Sequence, residues 1–109
     1  MANVPVFSDT TFDTEVIGSA IPVLVDFSAT WCGPCQRQAP IVESLAKKWH
    51  GKVKVGMVDI DEAPETAARF NVTSVPRLLI FKSGEVHDQM VGWTSEKDLD
   101  TKLRALASA

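Results

Sequence analysis

The sequence predicts an α/β fold built on one central mixed sheet of about five strands, with four helices flanking it. Three observations carry that expectation. Apolar runs of strand length alternate along the chain with stretches of helical spacing. The run "VLVDFS", Val23 to Ser28, is nearly continuous in strand-forming residues, as in a parallel-sheet strand covered on both faces. The last two apolar runs are joined by a short turn at Ser83-Gly84, so they pair antiparallel, whereas the earlier ones need crossovers.

Taken in order, "VPVF" (Val4 to Phe7) reads as a short first strand. Ser8 or Asp9 can then cap a helix carrying Phe12, Val16 and Ile17 before Gly18. After "VLVDFS", helical spacing begins at Pro34: Val42, Leu45, Ala46 and Trp49 share one face, and Gly51 supplies a stop. Pro40 lies inside this helix, removes a backbone donor and is expected to bend it. "KVKVGMVDID" is the next strand, and "EAPETAARF" a short helix with Pro64 in its first turn and Arg69 near its end. "RLLIF" and "EVHDQMVG" form the hairpin. Ser95 caps a last helix lined by Leu99, Leu103 and Leu106.

At 109 residues the chain suits a single domain, 1–109, because domains commonly hold about 100 to 150 residues. A hydrophobic fraction of 45%, a charged fraction of 23% and no low-complexity run describe an ordinary globular chain. The net charge of -3, with scattered Lys and Arg, argues against a nucleic-acid partner. No window approaches the ~20 apolar residues of a membrane span, and the N-terminus has no leader pattern. A cytoplasmic, membrane-free protein is expected.

The only two cysteines, Cys32 and Cys35, stand three positions apart where a strand ends and a helix begins. In open α/β sheets that is the side where chemistry gathers. They are too few for the disulfide framework of a small secreted domain, and a staple across so short a loop would stabilise little. Zinc needs about four ligands, and only His50 and His87, far apart in sequence, are left to supply the rest, so no metal is expected. A thiol at a helix N-terminus has its thiolate stabilised by unpaired N–H groups and the macrodipole. Cys32 is therefore the expected nucleophile and Cys35, one turn on, the resolving thiol. Gly33 permits close approach of the pair, and Pro34 suits the first helical turn. Such a couple attacks a substrate disulfide, forms a mixed disulfide, and closes on itself to release the reduced substrate.

Side-chain alternation puts Leu24, Asp26 and Ser28 on one face of their strand and Val23, Val25 and Phe27 on the other, so Asp26 points into a core. Desolvation should raise its pKa toward neutrality, letting it accept a proton from Cys35. The alternative is an acid that caps or bonds locally. Trp31 offers a flat apolar surface beside Cys32, or simply packs. Val75-Pro76 opens a strand where a turn or a cis bond fits. Trp93, after Gly92, either contacts partners or covers the last helix.

The sequence resembles the thioredoxin family. Trp31-Cys32-Gly33-Pro34-Cys35 matches the family's WCGPC motif, Asp26 its buried acid, Pro40 its helix proline and Pro76 its cis-proline; Gly84 and Gly92 also match. The resemblance implies the thioredoxin fold and a protein-disulfide reductase with no bound cofactor beyond its own Cys32–Cys35 disulfide. Electrons are expected from NADPH through the flavoprotein thioredoxin reductase. It further implies a monomer whose disulfide-containing protein partners dock around Trp31, Gly33, Pro34, Val75, Pro76 and Gly92. The backbone of Val75 is expected to pair with substrate. Three positions depart from the common pattern. Ser28 replaces a frequent aromatic, and Met57 replaces a frequent lysine beside the buried acid. Arg77 stands where a small polar residue is usual and is expected to favour acidic substrates. An oxidase or isomerase on the same fold, or a binding-only subunit, are the alternatives. Gly33-Pro34 places no cation between the cysteines, which favours a reductant.

Overall fold

The computed structural model describes residues 3–107; positions 1, 2, 108 and 109 of the expected domain lie outside the described residues. Among the described residues four strands form one sheet, β1 (Val23–Ser28), β2 (Lys54–Asp59), β3 (Arg77–Lys82) and β4 (Glu85–Val91), in the spatial order β2-β1-β3-β4. β1 is parallel to β2 and antiparallel to β3, and β3 is antiparallel to β4, so the sheet is mixed as expected. Three α-helices, α1 (Gly33–Lys48), α2 (Pro64–Arg69) and α3 (Glu96–Ala107), join a short π-helix at Asp13–Ile17, so the described residues hold the four helices expected.

The fifth strand expected at Val4–Phe7 does not form. That segment makes a single parallel bridge, Val6 opposite Met57. The Met57 N–H donates to the Pro5 carbonyl at 2.9 Å and the Phe7 N–H to the Met57 carbonyl at 2.8 Å. One more rung upstream would need an N–H from Pro5, which has none. Downstream the chain turns away at Ser8, whose carbonyl accepts from Thr11 and Phe12. Gly56 lets the segment lie this close, since a Cβ there would meet the Phe7 ring at 2.5 Å and the Pro5 carbonyl at 2.8 Å.

Asp9, an expected cap of the first helix, instead caps α2 from across the fold. Its carboxylate accepts from the Thr66 hydroxyl at 2.6 Å and from the Thr66 and Glu65 N–H groups at 2.8 and 3.3 Å. The Thr66 hydroxyl hydrogen bond holds its carboxyl below the usual range, helped by the two N–H donors and opposed by partial desolvation.

The sheet's two faces bury separate cores, and β1 feeds both by alternation. Leu24 packs with Leu78, Ile80, Val42 and Leu45 of α1, and Leu99, Leu103 and Leu106 of α3. Val23, Val25 and Phe27 pack on the opposite side with Phe12, Val16, Leu79 and Phe81. There Phe70 and Phe12 meet Phe81 edge-on, with centroids 5.2 and 5.6 Å apart. Each such pair is worth about 0.5–1.5 kcal/mol beyond its burial. α1 continues through Pro40, and its C-terminus is tied to α3 by Trp49, whose indole N–H donates to Asp100 at 2.9 Å. The consequence for function is that β1, between β2 and β3, delivers the chain rigidly to the N-terminus of α1.

Candidate active site

Beyond β1 the chain passes through Ala29, Thr30 and Trp31, and Cys32 becomes the N-cap of α1 in extended conformation. The Cys32 N–H donates to the Ala29 carbonyl at 3.3 Å. Gly33 and Pro34 open the helix, and the Cys35 N–H donates to Cys32 Sγ at 3.2 Å, so the sulfur fills the capping role that a serine oxygen usually takes. Their Cα atoms are 5.2 Å apart and the two sulfurs are joined as a disulfide. Both cysteines are buried in this oxidised form. What separates them is their surroundings. Cys32 Sγ lies 3.6 Å from the Val75 carbonyl oxygen, whereas Cys35 lines a partly open cavity of about 170 Å³.

That cavity is shared with Asp26, Ser28 and Met57. Asp26 is 2% exposed, on the α1/α3 face as alternation requires, and its Oδ1 has no hydrogen-bond partner among the described residues. Desolvation alone pushes its carboxyl up to about 7. A local cap for this acid, the alternative reading, is therefore not what Oδ1 provides.

The remaining expected residues converge on the same end of the sheet. Val75 packs against Cys32 and Cys35, and the Val75-Pro76 bond is cis. The Gly92 N–H donates to the Pro76 carbonyl at 2.9 Å, and Gly92 sits at φ +89°, a conformation open to glycine at little cost. Gly33 and Pro34 are exposed. Trp31 is 67% exposed, and its indole N–H donates to Asp61 at 2.8 Å, so it is tethered outside the core rather than packed within it. Trp93 is also exposed. His50 and His87 lie on the surface. Among the described residues no group of three or more His, Cys, Asp or Glu could hold a metal.

Arg77 is only half-buried, yet its guanidinium turns back on its own loop, donating to the Asn71 carbonyl at 3.2 Å and the Ser74 hydroxyl at 3.3 Å. Gln38 was absent from the sequence expectations. It stands one turn after Cys35, fully buried, and bonds the backbone of Thr94. The available signal was a polar residue on the apolar stripe Cys35, Val42 and Leu45.

A cysteine pair closed as a disulfide at the tip of α1, just beyond the C-terminal end of the central strand β1, defines a thiol–disulfide oxidoreductase. The thioredoxin family model matches residues 3–105. Thioredoxin 1 of Nostoc sp. is 45% identical over 88% of this chain and 90% of its own length. The thioredoxin of Synechocystis sp. is 43% identical over 94% of this chain and 96% of its own. Thioredoxin M-type, chloroplastic, of Pisum sativum is 45% identical over 92% of this chain, which spans only 58% of that longer protein. The chain belongs to the thioredoxin family, and its activity is that of a protein-disulfide reductase working through its own redox-active disulfide. No helix among the described residues is long and apolar enough to cross a membrane.

Proposed function

We propose that the chain acts as a single, monomeric thioredoxin domain in which Cys32 is the nucleophile, Cys35 the resolving thiol and Asp26 the proton acceptor. The observation that carries these roles is that Asp26 and Cys35 line one cavity while Cys32 caps α1 outside it. In the reduced protein the Cys32 thiolate, stabilised at the helix N-terminus, attacks one sulfur of a partner's disulfide. The partner's bond breaks, its other sulfur leaves as a thiolate that takes up a proton, and a mixed disulfide joins the partner to Cys32. Ionised Asp26 then takes the proton from Cys35 across their cavity. The Cys35 thiolate attacks Cys32 Sγ, the second partner sulfur leaves, and two electrons have moved to the partner.

Trp31, Gly33, Pro34, Val75, Pro76 and Gly92 form the docking surface for this exchange. Its support is their convergence around Cys32, with exposed Trp31, Gly33 and Pro34 on one side and the Val75 carbonyl on the other. The spent disulfide is recharged by thioredoxin reductase with electrons from NADPH, a reading supported by membership of the thioredoxin family. Recycling a dithiol suits a reducing compartment, and the cytoplasm is the reading we adopt. In it the protein serves electron transport and redox homeostasis.

The test is reduction of insulin with a dithiol supply, run on the native chain, Cys32→Ser and Cys35→Ser, followed by trapping. The native chain reduces insulin, and both variants lose turnover. Cys35→Ser accumulates a partner disulfide through residue 32, whereas Cys32→Ser captures none. Capture through residue 35 instead would reverse the assigned roles.

A further inference from the structure

Gln38 is fully buried on α1, in the stripe formed by Cys35, Gln38, Val42 and Leu45. A buried carboxamide must find partners for both its ends, whereas an aliphatic side chain there would fill the space without desolvating polar atoms. Gln38 satisfies both ends on one residue: its Nε2 donates to the Thr94 carbonyl at 2.9 Å, and the Thr94 N–H donates to its Oε1 at 2.8 Å. The Thr94 hydroxyl in turn donates to the Gly92 carbonyl at 3.1 Å, and the Gly92 N–H to the Pro76 carbonyl at 2.9 Å. A continuous run of hydrogen bonds thus leads from one turn beyond Cys35, through the Gly92–Thr94 segment, to the residue after Val75.

We infer that Gln38 is a positioning residue for partner docking, its carboxamide clamping the Gly92–Thr94 segment to the helix that carries the cysteines. It touches neither partner nor sulfur; it sets where the Gly92 side of the docking surface lies relative to Cys32. This rests on the reading that Gly92 belongs to that surface.

In the native chain the Thr94 amide exchanges with solvent slowly, as a bonded amide does; exchange at the rate of an unbonded loop amide would overturn the clamp without any variant. Replacing Gln38 by Leu removes both hydrogen bonds, and KM for insulin reduction rises about fivefold or more. Over the same comparison kcat and the rate with a small aromatic disulfide stay within about twofold and the reduction potential does not shift, since none of these depends on the loop. Should Gln38→Leu fail to fold, Gln38→Met, which keeps the side chain's length and loses both hydrogen bonds, is read in the same way. An unchanged KM in the folded variant, or an equal slowing of the small disulfide, overturns the inference. Trp31→Ala, at an exposed residue of the proposed docking surface, separates the two claims: if it raises KM while Gln38→Leu does not, only the role of Gln38 falls. If neither variant moves KM, the docking reading falls with it.

Discussion

Met57 stands directly opposite Asp26 across the parallel pair β1–β2, and both line the cavity that reaches Cys35. The acid's neighbour on the next strand is thus an uncharged thioether, and nothing but desolvation is at work on the carboxyl, which sits at about 7. A cation in the same place would favour the ionised form. Met57→Lys should therefore lower the Asp26 pKa by about 1 to 3 pH units, depending on how far the ammonium reaches into the cavity. Titration of the Asp26 carboxyl by NMR in the reduced protein checks this, and an unmoved or rising value would remove it.

The same desolvation makes the fold sensitive to pH. The folded carboxyl titrates near 7 and an unfolded aspartate at about 3.9, so between these values the folded state keeps a proton that the unfolded state has lost. Stability contributed by this group is greatest below about pH 4, declines as pH rises, and levels off above about pH 7. The full loss is on the order of 4 kcal/mol as an upper figure. Asp26→Asn removes the decline, so its advantage over the native chain should grow between about pH 5 and about pH 8.5 in urea unfolding. A difference that is flat across that interval would contradict the buried charge as its cause.

Much of this was legible in the sequence because it rests on periodicity. Alternation in "VLVDFS" places Asp26 on the α1/α3 face, and the spacing of Cys32 and Cys35 around Gly33-Pro34 puts both sulfurs at a helix start. The strand at Val4–Phe7 failed where local composition looked right, because pairing is a property of two segments and Pro5 withholds the N–H for the next rung. Asp9 was legible as a cap but not as the cap of α2, since its partner Thr66 lies far along the sequence. Gln38 was hidden for a similar reason: its partners are backbone atoms of Thr94, which carry no residue-specific signal.

Trp31 offers a third test. Its ring is mostly exposed, so burial does not hold it beside Cys32; the hydrogen bond from its indole to Asp61 does. Asp61→Ala removes that tether at a stability cost below about 1 kcal/mol, as expected of an exposed hydrogen bond. The ring becomes mobile and KM for protein disulfides rises. Asp61→Asn keeps a carbonyl oxygen in reach and should behave like the native chain. Time-resolved anisotropy of Trp31 fluorescence, in a background with Trp49 and Trp93 replaced by Phe, reports the tether. Matching anisotropy in the Ala and Asn variants would show that Asp61 does not hold the ring.

The last prediction concerns Arg77, expected from the sequence to attract acidic substrates. In the fold its guanidinium is committed to Asn71 and Ser74, within the loop that leads to Val75, and its buried Nε has no hydrogen-bond partner among the described residues. An unpaired buried donor is a standing cost, so Arg77→Met should change stability by no more than about 1 kcal/mol despite the loss of two hydrogen bonds. The loop, however, loses the brace that spans Asn71 to Ser74. A lysine cannot reproduce a two-pronged contact, because its ammonium is a single point of charge. Arg77→Lys and Arg77→Met should therefore raise KM for protein disulfides by similar factors, and equally for acidic and neutral substrates at low salt. If Arg77→Lys kept the native KM on acidic substrates while Arg77→Met lost it, the guanidinium would be acting on the partner through its charge and not on the loop.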